Sequence, residues 1–261
     1  MSSRDDVLIE LGLTPTWRRR GAAGAGRSEI LGAASVPDEK PEPRAAIARV
    51  SVPSPTDAMR SARIAALSWT DFAADVDACN ACGLCRTRNK SVPGVGDVRA
   101  EWLFVGEAPG ADEDARGEPF VGQAGRLLDN MLAALGMARG RNVYIANVLK
   151  CRPPNNRTPD PLEADACRPY LERQVALIRP KLIVALGKSA AALLLGTEAT
   201  IASLRGRVHR YGELPLIVTY HPAYLLRNLP DKAKAWEDML LARRTVAKRN
   251  GEIGTTTPPL A

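Results

Sequence analysis

Histidine is nearly absent from this chain of 261 residues, which has only His209 and His221. Chemistry that needs an imidazole therefore has two candidates. Phenylalanine is almost as scarce, at Phe72, Phe104 and Phe120, and aromatic residues make up 5% of the total. No apolar run approaches the roughly 18 to 20 residues of a membrane span, so no membrane partner is expected. The opening MSSRDDVLIE carries mixed charge, unlike the basic-then-apolar start of a secretory signal. A cytoplasmic location follows as the expectation. The five cysteines are odd in number, and without a signal sequence they argue against a disulfide framework. Two phosphate-binding fingerprints also fail. Gly187-Lys188-Ser189 ends like a P-loop, but Leu182 stands where that motif needs its first glycine. Gly94-Val95-Gly96 has Arg99 where a dinucleotide fingerprint needs its third glycine.

What is present reads as one sizeable domain with extensions. The apolar fraction is 45%, ordinary for a globular protein, and the net charge of +7 mildly favours an anionic partner such as nucleic acid. Residues 1–66, rich in Ala, Gly, Pro, Ser and Arg, read as a disordered or weakly structured extension with a transient amphipathic helix near Val7 to Leu13. Residues 67–250 read as the globular domain, and residues 251–261 as a flexible tail. Strand-like runs occur at 102–105, 143–148, 182–186 and 216–220, with helical patterns near 123–135, 161–178, 188–195 and 232–248. Strands alternating with helices predict an α/β fold, a three-layer α/β/α sandwich around a mainly parallel four-stranded sheet.

The segment from Gly106 to Gly125, GEAPGADEDARGEPFVGQAG, follows the first of these runs. Phe120 alone among the phenylalanines stands among Gly, Glu and Pro, where no core-facing period explains it. A ring displayed at the carboxyl end of a parallel strand suits stacking on a flat ligand. Glu107, Asn147 and His221 fall at the strand ends of the same sheet. Asn147 interrupts an apolar run, and a buried amide needs partners. His209 lies in Arg207-Val208-His209-Arg210, which reads as a solvated strand or hairpin.

The cysteines also carry a pattern. Cys79 and Cys82 form a CxxC, Cys82 and Cys85 a second one, and Cys151 and Cys167 follow much later. Two pairs separated by a long insertion fit a four-thiolate site for zinc or an iron–sulfur cluster. Zinc pairs usually sit on short knuckles at both ends, whereas the later pair is spread over a loop and a helix, which favours the cluster. Three closely spaced thiols leave one spare, and Cys85 is the expected one.

GEAPG with EPFVGQAGRLLD, then YIANVLKCRPPNNRTP, then HPAYLLR resemble, in order and spacing, the bacterial family 4 uracil-DNA glycosylases, the iron–sulfur branch of that superfamily. The resemblance covers about Cys79 to Arg227 or beyond. It implies hydrolysis of the bond joining uracil to deoxyribose in single- and double-stranded DNA, by a monomer, and a [4Fe-4S] cluster on Cys79, Cys82, Cys151 and Cys167. It implies that Phe120 stacks on the flipped base, that Asn147 reads its O4 and N3–H, and that His221 donates to O2. Glu107, with Ala108 beside it, and Glu113 are the candidates for orienting water and balancing the sugar's positive charge. Leu225 becomes a wedge for the gap in the duplex. Lys150, Arg152, Arg157 and Arg227 become phosphate contacts, and the turn ending at Ser189 offers helix N-terminal amides to a phosphate. The rival expectation is a protein that binds uracil DNA without turnover. Against it, the stretch Cys-Arg-Pro-Pro-Asn-Asn-Arg after the second motif has no histidine for covalent capture.

Overall fold

The computed structural model describes residues 55–251, so the readings made for residues 1–54 and 252–261 lie outside the described residues. The apolar runs form β2 (Trp102–Gly106), β3 (Val143–Asn147), β4 (Leu182–Leu186) and β6 (Leu214–Thr219). Almost every residue in them is buried. They alternate too little for a half-exposed sheet, because a parallel sheet is covered on both faces. The four strands pair in parallel in the order β3-β2-β4-β6.

The sheet has six strands, two more than the expected four. The additional strands are β1 (Val95–Gly96), antiparallel to β3, and β5 (Val208–Tyr211), antiparallel to β6. Neither carries an apolar run: β1 is two residues long, and β5 reads Val-His-Arg-Tyr. The hairpin expected around His209 is the β5–β6 pair.

Alternate strand residues feed two cores. Leu103, Val105, Ile183, Ala185 and Val218 pack on one face with Ala164 and Leu171 of α5 (Pro161–Ile178) and Ala191 of α6 (Lys188–Leu195). Phe104, Ile145, Val184 and Ile217 pack on the other with Leu128 of α4 (Gln123–Ala134) and Met239 and Ala242 of α9 (Asp231–Arg249). The result is the expected three layers. The described residues also include a helix before residue 67. Helix α1 (Pro55–Ala65) buries Ile64 against Phe72 and Val76 of α2 (Trp69–Ala78) and Tyr170 of α5. Among the described residues, no helix is long and apolar enough to cross a membrane. The shorter helices are α3 (Ala111–Arg116), α7 (Ile201–Leu204) and α8 (Pro222–Leu225).

Four parallel strands end at one edge of the sheet. Glu107 follows β2, Asn147 closes β3, Gly187 to Ser189 lead from β4 into α6, and His221 lies just beyond β6. Such an edge is where open α/β sheets hold ligands.

Candidate active site

A cleft of about 550 Å³ opens at this edge, lined among others by Glu107, Ala108, Phe120, Asn147, His221 and Arg227. The structure thus brings together the base-binding residues expected from the sequence, although they lie far apart along the chain.

Asn147 is 2% exposed, and its Oδ1 has no hydrogen-bond partner among the described residues. Buried polar atoms are rarely left so, and an orphaned acceptor costs roughly 1–3 kcal/mol. It faces Gly106, its register partner on β2. A Cβ at Gly106 would lie 2.3 Å from Oδ1 of Asn147 and 2.8 Å from Cζ of Phe120, so this position has no room for a side chain.

Phe120 is 6% exposed and belongs to the core beside α4. The sequence predicts a freely displayed ring. Instead the residue is buried, and its ring lies 5.5 Å from the His221 ring with 29° between planes. Phe120 has φ 55°, a left-handed backbone that a bulky residue adopts at a cost of about 1–3 kcal/mol, typically at functional sites.

His221 caps the N-terminus of α8, with Pro222 at the first helical position. Its Nδ1 accepts the Ala223 amide proton at 3.1 Å. An amide can only donate, so Nδ1 is unprotonated and the ring proton sits on Nε2. Burial, aided by Arg227 and opposed by Glu113, pushes the imidazole down to about 4, so it is neutral at physiological pH. Gly187, at φ 96°, leaves room for it: a Cβ there would sit 2.9 Å from Cβ of His221.

Burial holds the Glu107 carboxyl above the usual range, with a hydrogen bond to Ser189 partly offsetting it. Ser189, read as part of a phosphate-binding turn, thus stands near that carboxyl, in the turn from β4 into α6.

Three other expected residues make contacts the sequence did not show, and two of them, Lys150 and Leu225, are buried away from DNA. Glu113 accepts the Gly110 amide at 3.0 Å and the Val121 amide at 3.1 Å. With both oxygens so held, it braces the two sides of the loop while lining the cleft. Lys150 is 1% exposed, and its ammonium donates to Asn147 O at 2.7 Å and to Gln174. It holds the backbone beneath Asn147 and cannot reach a phosphate. Leu225 is 1% exposed, packed with Tyr220 and Ala235, whereas Leu226 beside it is 38% exposed. The short helix turns one leucine in and the next out. Of the remaining cations, Arg152 donates to Asn156 at 2.8 Å, Arg157 pairs with Glu163 at 2.6 Å, and Arg227 stands at the cleft. Sequence reasoning missed Asn156 and Pro153, which also line the cleft. The available signal was the paired Asn155 and Asn156, both at φ 54°, a conformation asparagine tolerates.

Cys79, Cys82, Cys85, Cys151 and Cys167 all line one small enclosed cavity with Tyr170 and Lys150. Arg60 donates to Cys79 Sγ at 3.5 Å, Arg88 to Cys151 Sγ at 2.9 Å, and the Lys150 amide to Cys167 Sγ at 3.3 Å. Donors aimed at sulfur suit thiolates. Among the described residues no group of three or more His, Cys, Asp or Glu side chains is arranged to hold a single metal ion. Thiols are the donor type that both zinc and iron–sulfur clusters take.

Comparison with known proteins agrees with this geometry. The model of the uracil DNA glycosylase superfamily matches residues 93–240. The chain is 48% identical over 167 residues to the type-4 uracil-DNA glycosylase of Archaeoglobus fulgidus, covering 61% of this chain and 83% of that protein. It is 43% identical over 177 residues to the type-4 enzyme of Thermotoga maritima, covering 66% of this chain and 92% of that protein. A type-5 uracil-DNA glycosylase of Thermus thermophilus is 36% identical over 179 residues, covering 61% of this chain and 80% of that protein. With the family model matching more than half of the chain, and the cleft built from the residues at its strand ends, this protein belongs to the uracil DNA glycosylase superfamily.

Proposed function

We propose that the protein is a monofunctional uracil-DNA glycosylase, releasing free uracil and leaving an abasic site. The observation that carries this reading is the unpartnered Oδ1 of Asn147, buried in a cleft that a flat ring and a neutral imidazole also line. An acceptor with no partner among the described residues is completed by a ligand N–H, and uracil offers one at N3. The Asn147 amide can then donate to O4. Cytosine has the opposite polarity at both atoms and would leave the amide mispaired, which is costly in a buried site.

The uracil must first leave the stack, at a few kcal/mol for a paired base. Phe120 recovers part of this by stacking, worth roughly 1–3 kcal/mol. The C1′–N1 bond then breaks, its electron pair going to the base, and charge gathers on O2. His221 donates Nε2–H there. A preorganised donor of this kind is worth about 2.7–4 kcal/mol, and a neutral imidazole supplies it without needing a proton from solvent. The Glu107 carboxylate orients the water whose oxygen bonds to C1′. It accepts that water's proton and balances the charge on the sugar. The departing anion takes a proton at N1 from solvent. No lysine at the cleft is needed for a covalent intermediate.

Cys79, Cys82, Cys151 and Cys167 would hold a [4Fe-4S] cluster, with Cys85 to spare. When bound it supplies a structural cross-link joining the loop after α2, the loop after β3 and α5. Arg152, Arg157 and Arg227 meet backbone phosphates, and Leu226, in place of Leu225, enters the gap left by the base. The protein would act as a monomer in the cytoplasm.

The test is Asn147→Ala on uracil-containing oligonucleotides. It should bind DNA as the wild type does and lose base release by orders of magnitude. Unchanged release would remove Asn147 as the reader and with it this reading of the cleft.

A further inference from the structure

Arg139 lies outside the cleft, in the connection between α4 and β3, yet its guanidinium is committed to the residue that forms the cleft's flat wall. Nη1 donates to the Pro119 carbonyl and Nη2 to the Phe120 carbonyl, both at 2.8 Å. Nε and Nη2 also donate to Oδ1 of Asp129 on α4, at 3.2 and 3.1 Å. Of the five non-glycine residues with positive φ among those described, three are asparagines, which tolerate it, and Arg179 closes α5. Phe120 is the fifth, and nothing in an aromatic side chain favours that backbone. Its neighbours must impose it.

Two other restraints act on the same segment. Glu113 takes the amide of Val121. Gly125 lets the helix approach so closely that a Cβ there would lie 1.6 Å from the Phe120 carbonyl oxygen. Arg139 is the one that holds two successive carbonyls at once. A planar fork of donors can do that, and a lysine ammonium cannot hold both in the same fixed geometry.

We propose that Arg139 is a positioning residue for base capture. It fixes the Pro119–Phe120 peptide, and through it the plane of the Phe120 ring beside His221, while Asp129 fixes Arg139. This rests on the reading of Phe120 as the stacking face for uracil. The Arg139–Asp129 pair is partly exposed, with side-chain exposures of 23% and 46%. Such a pair contributes little to stability by itself, so the effect of losing Arg139 falls on ring geometry.

The experiment is a double-mutant cycle. Base release is measured under single-turnover conditions at saturating uracil DNA for the wild type, Arg139→Met, Phe120→Ala and the double variant. Affinity for the same duplex without uracil is measured alongside. Arg139→Met and Phe120→Ala should each slow release by about tenfold. The double variant should be no slower than Phe120→Ala alone within about twofold, and affinity for undamaged DNA should not change. Arg139→Lys should fall between wild type and Arg139→Met. Losses that multiply in the double variant, or an Arg139→Met as fast as the wild type, would overturn the proposal. A Phe120→Ala as fast as an active wild type would instead overturn the stacking reading beneath it. If Arg139→Met does not fold, Arg139→Lys and Asp129→Asn carry the same cycle.

Discussion

Gly106 and Asn147 are register partners on β2 and β3, and the absence of a side chain on the first leaves the space that the carboxamide of the second occupies. Gly106→Ala would put a methyl 2.3 Å from Oδ1. The backbone there is an ordinary strand, so the cost falls on Asn147 and Phe120 and not on local conformation. Misplacing a reacting group by about 1 Å costs on the order of a hundredfold. Gly106→Ala should therefore lose uracil release by about that factor while binding undamaged DNA normally, measured by single-turnover kinetics and a binding titration.

His221 is held neutral, with its proton on Nε2, and titrates near 4. The rate of release should accordingly show no inflection at the ordinary histidine pKa of about 6.5. His221→Ala should slow release by about a hundred- to a thousandfold. An inflection near 6.5 that vanishes in His221→Ala would mean that the charged imidazole acts.

The Glu107 carboxyl is raised by burial. Because the charged form orients water, activity should fall as pH drops through this raised value, earlier than an ordinary carboxylate would require. The acid limb of the kcat/KM profile should therefore lie above the usual carboxylate pKa of about 4.3. Glu107→Gln should lower the rate and remove that limb.

Lys150 provides a check on the change from phosphate-binding cation to buried support. Removing one cation that neutralises a phosphate reduces the salt dependence of DNA binding by about one unit of slope. Lys150→Met should leave that slope unchanged. It should lower thermal stability by about 1.5–3 kcal/mol, because Asn147 O and Gln174 are deprived of a charged donor. Arg227→Ala should do the reverse.

The thiols can be told apart by substitution. Serine at Cys79, Cys82, Cys151 or Cys167 should lose bound iron and the brown colour of the purified protein. Cys85→Ser should keep both. Iron retained after Cys79→Ser and lost after Cys85→Ser would exchange the two roles.

The parallel half of the fold was legible because its strands are continuous apolar runs ending in polar residues. The ends of β4, α5 and α6 match the sequence reading residue for residue. The edge strands were not legible as strands of the sheet: β1 is too short to show a period, and β5 is mostly polar. Asn147 and His221 stood out because each is a polar residue at the end of an apolar run. Lys150 and Leu225 were misread for one reason. Sequence shows that a residue is charged or apolar near a motif, but not which way a tight turn points it. Arg139 gave no signal at all. The partners that tie it to Phe120 are backbone carbonyls about 20 positions earlier, and carbonyls are the same whatever the sequence.

The most direct measurement is free base released by the wild type, under single-turnover conditions, from identical strands carrying one uracil, cytosine or thymine. The account predicts uracil from the first strand, as both single-stranded and duplex DNA, and no base from the other two. No uracil from either form of the first strand, with the protein folded and its iron bound, or cytosine released as fast as uracil, would contradict it.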